Sequence, residues 1–201
     1  ASQRKRKDTD TRKKVIPVLV HGDAAFAGQG VVMETFQMAH VRGYTVGGTI
    51  HIAIDNQVGF TTSPENARSS HYCSDASKVL ATPVLHVNGD DVESCVRAMD
   101  IALRYRQEWG RDIVITVTCY RRFGHNEGDE PRFTQPVLYK LIADHPNPRE
   151  IYFEKLKAQG IVNADYLKDI EDKFKELLQE KLEEGKQAEK AKITSFLDGV
   201  W

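Results

Sequence analysis

Short apolar runs alternate with longer amphipathic segments through residues 15–135 of the chain. Four of these runs have the length and the β-branched content that are typical of buried strands, and they lie at residues 15–20, 49–54, 83–87 and 112–119. Helical patterns separate several of the runs. Strands that alternate with helices predict an α/β fold, in which a parallel sheet is flanked by helices.

Two of the connecting segments have helical periodicity. Val32 and Phe36 share one face of the first predicted helix. The second covers about residues 91–109 and starts at one of two consecutive aspartates, either of which is a favourable N-cap. The connection at residues 57–77 is different, because it is polar and rich in Ser, Thr and Asn. A loop of that length inside a domain is usually functional or disordered.

The composition divides the chain into three parts. Residues 1–14 are basic and poor in apolar side chains, which predicts a disordered arm or a loop. Residues 15–135 form the predicted α/β domain, and residues 136–201 form a predicted helical extension that leads to a next domain. Within the extension we expect a short helix near its start, a second at 148–160 and a charged amphipathic third at about 163–192.

The overall composition excludes several classes of protein. The chain has 201 residues, of which 40% are hydrophobic and 28% charged, and its net charge is −1. No nucleic-acid or membrane partner is therefore expected on electrostatic grounds, no apolar run approaches the roughly 20 residues of a membrane span, and no secretory leader is expected. The three cysteines form no C-x-x-C pair, which favours buried reduced thiols in a reducing compartment.

Polar residues follow each predicted strand, at the edge of a parallel sheet where ligands bind. Asp23 follows the first strand and Asn56 the second, and both offer the hard oxygen atoms that Mg²⁺ prefers when it shares a phosphate group. The sequence Gly28-Gln29-Gly30 precedes the first predicted helix, whose amino end would present free N–H groups to a phosphate. Neither a P-loop nor a G-x-G-x-x-G motif is present.

The sequence around these residues resembles that of one family. Gly22-Asp23-Ala24 and Asp55-Asn56 resemble the thiamine-diphosphate motif, whose usual form is Gly-Asp-Gly and, after the next strand, Asn-Asn. Six separated sequence segments also resemble, in order and spacing, segments of the first (decarboxylating) component of the 2-oxoglutarate dehydrogenase complex. They are HGDAAFAGQG, GGTIHIAIDNQVGFTT, ARSSHYCSD, HVNGDD, CYRRFGHNEGDEP and FTQPVLYK. The resemblance begins near residue 15 and continues to the end of the chain.

The resemblance implies that this is the diphosphate domain of a thiamine-diphosphate-binding fold. Asp23 and Asn56 would bind Mg²⁺ through side-chain oxygens, and Val58 through its backbone carbonyl. Ala24 and Ala25 would contact the diphosphate. Ala24 stands at the motif's second glycine, as is usual in this subfamily.

Three further implications concern the surrounding loops. His125 would lie over the reactive thiazolium ring as the catalytic residue, although a structural role remains the alternative. Asp55 stands where the subfamily has Asn and would add negative charge near the metal. The polar loop at 57–77, which includes Arg68, resembles a loop that orders over the cofactor. His21 would either support the Asp23 loop or contact the cofactor.

The acidic residues of the loop after the fourth predicted strand have two interpretations. Glu127, Asp129 and Glu130 are candidates for an acid–base group. The alternative, which we favour, is that they stabilise their own loop and pair with Arg121 or Arg122.

The family resemblance also implies an activity. The parent enzyme would decarboxylate 2-oxoglutarate and transfer a succinyl group to the lipoyl domain of dihydrolipoyl succinyltransferase, as a homodimer in bacterial cytoplasm or the mitochondrial matrix. Family enzymes need a glutamate from a second domain, so this chain alone is expected to be inactive. Two alternatives remain: a sister enzyme that acts on 2-oxoadipate, and a non-catalytic assembly module.

Overall fold

Four parallel strands form one sheet in this computed structural model, which describes residues 2–188 of the chain. The strands are β1 Val18–Gly22, β2 Ile50–Asp55, β3 Val84–Asn88 and β4 Ile113–Thr118. Their order across the sheet is β1-β2-β4-β3, and every pair is parallel. All four predicted strands are present, the largest difference being that β1 begins at Val18 rather than at residue 15. The predicted α/β class, with helices flanking a parallel sheet, is confirmed.

The helices connect and extend these strands. The α-helices are α1 Ser2–Lys5, α2 Asp23–Gly28, α3 Gly30–Met38, α4 Pro64–Ala67, α5 Val92–Trp109, α6 Pro136–Asp144, α7 Pro148–Ala158 and α8 Ala164–Gln187. Short 3₁₀ helices lie at Cys73–Leu80 and Pro131–Phe133. The predicted second helix is confirmed as α5: Asp91 Oδ1 accepts the Ser94 N–H at 3.1 Å, and Gly110 ends the helix with φ 61°.

The helix directly after the first strand, α2, was not predicted. α2 follows β1 without an intervening loop, and α3 begins only at Gly30. The helix that Gly28-Gln29-Gly30 was predicted to precede begins at Gly30 as α3, and α2 presents a further amino end directly after the first strand. The polar segment 57–77 also contains regular structure, namely α4 and the first turns of the 3₁₀ helix Cys73–Leu80.

Two apolar clusters cover opposite faces of the sheet, as alternation along its strands requires. One cluster joins α2, α3 and the 3₁₀ helix to the strands and contains Phe26, Phe36, Ala53, Cys73 and Val114. The other lies under α5 and contains Ile50, Ala98, Ala102, Ile113 and Ile115. Helices therefore pack on both faces, which leaves the carboxyl ends of the strands as the open edge where polar residues collect.

The basic segment at the start of the chain is ordered where it is described. It contains α1, and the Asp8 side chain is only 1% exposed. Asp8 accepts the N–H groups of Lys13, Lys14 and Val15 at 2.9–3.0 Å. Of the two alternatives for this segment, a disordered arm or a loop, the described residues form a loop with one helical turn, because a single buried carboxylate organises the backbone of its neighbours.

Residues 2–148 form one compact unit, and residues 149–188 belong to a second. The helix α6 lies in the first unit, with Tyr139 and Ile142 buried, so the boundary falls later than the predicted 135/136. In the second unit, Asn163 caps α8 by accepting the Tyr166 N–H at 2.8 Å. The predicted end of that helix near residue 192 lies outside the described residues. Among the described helices, none is long and apolar enough to cross a membrane.

Candidate functional site

Two acidic residues meet where β1 and β2 end. The parallel register pairs Gly22 with Ile54, so the next residues along the two strands, Asp23 and Asp55, come side by side. Asp23 is the first residue of α2 and is 3% exposed, while Asp55 is the last residue of β2 and is 8% exposed. Two neighbouring buried carboxylates need positive charge close by.

Arg68 supplies one positive charge to this pair. Its Nη1 donates to Asp23 Oδ2 at 3.3 Å, and its Nη2 lies 3.6 Å from Asp55 Oδ2. Arg68 directly follows α4, in the polar segment that was predicted to cover a cofactor. The guanidinium therefore lies between the two carboxylates and bridges them loosely.

The electrostatics of the pair remain unbalanced. Burial raises the pKa of Asp23, and the neighbouring Asp55 raises it further, while the Ala24 N–H and Arg68 oppose the rise only in part. Among the described residues, Asp55 Oδ1 and Arg68 Nε are both buried without a hydrogen-bond partner. Unpartnered buried polar atoms are rare in folded proteins, so their coincidence with a raised pKa marks this rim as a candidate ligand site.

The loop after β2 closes against the start of α2. Asn56 Oδ1 accepts the Val58 N–H at 3.2 Å, and Gln57 between them has φ 64°. Val58 is buried, and a Cβ added at Gly59 would lie 3.3 Å from the Ala24 Cβ. The turn thus brings Asn56 and Val58 to the same rim as Asp23 and Ala24. Ala25 follows in α2 and is half-buried.

His125 lies on the loop after β4, exposed and beside the loop after β2. The His125 ring centroid is 5.1 Å from that of Phe60, and the backbone N–H of His125 donates to Asp129 Oδ2 at 2.9 Å. Arg121 ties the two loops together by donating from Nη2 to the Phe60 carbonyl at 3.0 Å, and the same Nη2 lies 3.7 Å from Asp129 Oδ2. The loop-stabilising interpretation of Asp129 is therefore the one that the geometry supports.

The family model described as dehydrogenase E1 component matches residues 4–194. The chain belongs to this dehydrogenase E1 family. It is also similar to proteins named 2-oxoglutarate dehydrogenase E1 component. The Cupriavidus necator protein is 56% identical over 155 residues, which are 77% of this chain and 16% of that protein. The Azotobacter vinelandii protein is 51% identical over 89% of this chain and 19% of its own length. The Rickettsia prowazekii protein is 44% identical over 94% of this chain and 20% of its own. The matches thus cover at most about a fifth of these relatives.

The oxygen donors at this rim of the E1 chain fit a divalent cation that shares a phosphate. No group of three or more His, Cys, Asp or Glu side chains suited to a metal occurs within residues 2–188. Mg²⁺ does not need such a cluster, because it keeps few protein ligands and takes the rest from water and phosphate oxygens. Asp23 brings a buried carboxylate and Asn56 an amide oxygen with a second lone pair to offer. The net negative charge of the Asp23, Asp55 and Arg68 group also favours a cation.

His21 of the E1 chain contacts a partner that sequence reasoning missed. Its Nε2 lies 3.0 Å from Nδ1 of His51, a buried residue within β2. His51 Nε2 in turn lies 3.9 Å from Asp112 Oδ2, at the opposite end of the sheet. This chain of contacts packs behind the Asp23 loop, which favours the supporting role of His21. A histidine inside an apolar run such as TIHIAI was the available signal.

Arg68 was anticipated only as part of a covering loop. Its pairing with Asp23 spans 45 residues, which no local pattern reveals. The available signal was charge balance, because carboxylates at Asp23 and Asp55 follow adjacent parallel strands and require a cation between them. The predicted reduced cysteines are confirmed as unpaired, although only Cys73 is fully buried. Burial raises the pKa of Cys73 and Cys119 to about 11, so neither is an activated nucleophile.

Proposed function

We propose that this chain binds Mg²⁺ and the diphosphate of thiamine diphosphate, as part of a longer enzyme that decarboxylates 2-oxoglutarate. The observation that carries the proposal is the buried pair of Asp23 and Asp55, which a single loosely held guanidinium leaves short of positive charge. A divalent cation would balance it. The dehydrogenase E1 family and the names of the relatives support the rest.

Each proposed ligand has a distinct role. Asp23 and Asn56 would bind the cation through side-chain oxygens and Val58 through its backbone carbonyl. Ala24 and Ala25 would lie against the diphosphate, since small side chains let an anion approach the backbone closely. A cavity of about 510 Å³ is lined by Asn56, Val58 and neighbouring residues of the loop after β2 and of α6, and it leaves room for a molecule beside these two proposed ligands.

His125 is the proposed catalytic residue. Its side chain is exposed at the same rim and is oriented by the ring of Phe60 rather than by an ion pair. A neutral imidazole can accept a proton or hydrogen bond at one ring nitrogen and donate a hydrogen bond from the other, so it suits a group that handles a proton or orients the substrate. When bound, thiamine diphosphate supplies the electron sink for decarboxylation. The chain's own residues contribute position, charge and this imidazole.

The activity of the whole enzyme extends beyond this chain. We propose 2-oxoglutarate as the substrate, succinyl transfer to a lipoyl domain as the outcome and a homodimer as the assembly, because the relatives bear the name 2-oxoglutarate dehydrogenase E1 component. We expect the 201-residue chain on its own to bind the cofactor without turning over substrate. Comparing rates of the longer enzyme on 2-oxoglutarate and 2-oxoadipate would separate the two substrates.

Calorimetric titration of the chain tests the proposed site. Thiamine diphosphate is expected to bind in the presence of Mg²⁺ and to bind far more weakly in the presence of chelator. Asp23→Ala should remove the Mg²⁺-dependent part, whereas Asp129→Asn, at the same rim but away from the proposed ligands, should retain it. Binding that ignores Mg²⁺, or that survives Asp23→Ala in full, would contradict the proposal.

A further inference from the structure

The guanidinium of Arg68 lies between the carboxylates of Asp23 and Asp55. Two of its nitrogens face two different carboxylates, with Nη1 3.3 Å from Asp23 Oδ2 and Nη2 3.6 Å from Asp55 Oδ2. All three side chains are largely buried, with exposed fractions of 17%, 4% and 11% for Arg68, Asp23 and Asp55. In such surroundings each charge is screened little by water.

Arg68 makes few contacts for a largely buried arginine. Only the contact with Asp23 is a hydrogen bond, since 3.6 Å to Asp55 is beyond hydrogen-bonding distance. Among the described residues, its Nε–H has no partner, and neither does Asp55 Oδ1. The head group is therefore held by two carboxylates alone, and it can leave without breaking a larger network.

Charge decides which cation the pair prefers. Two carboxylates and one guanidinium leave one negative charge uncompensated in a buried setting, and a divalent ion would compensate both carboxylates. A divalent ion and the guanidinium together would instead repel each other at short range in a medium that screens poorly. The two cations should thus exclude each other from the same carboxylates.

We propose that Arg68 is an internal counter-ion that competes with the divalent cation for Asp23 and Asp55. In the metal-free chain it neutralises part of their charge and limits their repulsion. Metal binding then requires Arg68 to withdraw, which links occupancy of the site to the position of the segment that follows α4. The inference rests on the proposed function, because it takes Asp23 to be a metal ligand.

Titration of Mg²⁺ alone into the chelator-treated chain tests the proposal, with heat as the readout. Arg68→Gln removes the competing charge and should tighten Mg²⁺ binding by about tenfold, a coupling of typical size. Arg68→Lys keeps one charge but cannot face both carboxylates, so a smaller tightening is expected. Arg132→Gln is the matched control, because the exposed Arg132 pairs with Glu130 away from the proposed ligands and should leave Mg²⁺ affinity unchanged.

Thermal melting provides a second readout that a purely structural role would not produce. Arg68→Gln should lower the melting temperature of the metal-free chain and enlarge the rise that Mg²⁺ causes. If Arg68→Gln fails to fold, Arg68→Lys carries the test. Equal or weaker Mg²⁺ binding by the folded variants, with normal binding by the wild type, would overturn the counter-ion role alone. Absence of Mg²⁺ binding in wild type and variants alike would overturn the proposed metal site as well.

Discussion

Two arginines, one buried and one half-buried, lie at opposite ends of the strands of the same sheet, and they are held in very different ways. Arg106, on α5, reaches the amino edge and is 1% exposed. It donates to the carbonyls of Gly48 at 3.0 Å and Val46 at 3.2 Å, and to the Gln107 side chain at 2.7 Å. Gly48 has φ +87°, and a side chain there would overlap the backbone of Arg111, so the acceptor loop needs glycine.

Arg68, at the carboxyl edge, makes a single hydrogen bond and leaves its Nε–H unpartnered among the described residues. The buried acids differ in the same way. Although burial raises the pKa of Asp8, hydrogen bonds from Val15, Thr11, Lys14 and Lys13 lower it overall, whereas the pKa of Asp23 stays raised. Saturated buried charges hold a fold together, while unsaturated ones mark the place where a ligand completes the bonding.

The largest expected effect is at the unsaturated edge. Asp23→Ala in the longer enzyme should lower 2-oxoglutarate decarboxylation by about 1,000-fold or more, a loss of about 4 kcal/mol of transition-state stabilisation, because the proposed metal ligand is lost. The measurement is the steady-state rate together with the metal content of the purified protein. Normal activity with normal metal content would mean that Asp23 is not a metal ligand of the enzyme.

At the amino ends of the strands, where Arg106 is fully hydrogen-bonded, a substitution should lower the stability of the fold. Arg106→Ala leaves buried carbonyl groups without donors and should lower the free energy of unfolding by about 3 kcal/mol. Urea denaturation with and without Mg²⁺ measures it, and the loss should not depend on the metal. Arg104→Ala on the exposed face of the same helix is the control, with an expected change below about 0.5 kcal/mol. A loss confined to metal-loaded samples would break the distinction between the two edges.

The difference in predictability between these edges has a physical cause. The strands and α5 follow from short-range periodicity. Asp23 and Asn56 were predicted as ligands because they follow strands and match a family motif, and Val58 because of the family resemblance alone. The pairing of Arg68 and the burial of Asp8 depend on contacts that only the folded chain creates. Composition left a disordered arm and a loop as alternatives for residues 1–14, since it does not reveal that Asp8 accepts the backbone N–H groups of its neighbours.

Asp55→Asn should have a smaller effect, which is expected in the stability of the metal-free chain. It removes one of two neighbouring buried negative charges and should stabilise the metal-free chain by roughly 1 kcal/mol, because close like charges repel where water screens them little. It should also weaken the hold on Arg68. Urea denaturation in chelator is the measurement. A loss of stability instead would mean that Asp55 is already well satisfied in the folded chain.

The smallest expected effect is in the pH dependence. A carboxyl group whose pKa is raised on folding favours the folded state when protonated, so its ionisation costs stability as the pH rises from its ordinary pKa through the raised value. Wild-type chain without metal should therefore lose stability relative to Asp23→Asn across that interval and keep a constant difference above it. Denaturation curves over a pH series provide the test, and a difference that grows in the opposite direction would contradict the raised pKa of Asp23.

The central claim is that Asp23 holds a metal ion that shares the diphosphate of thiamine diphosphate. Electron paramagnetic resonance of Mn²⁺ added to the chain tests it most directly, because the spectrum reports the atoms around the metal. We expect bound Mn²⁺ that acquires coupling to phosphorus when thiamine diphosphate is added, and loss of that signal in Asp23→Ala. Mn²⁺ that stays free, or a phosphorus coupling that Asp23→Ala leaves intact, would contradict it.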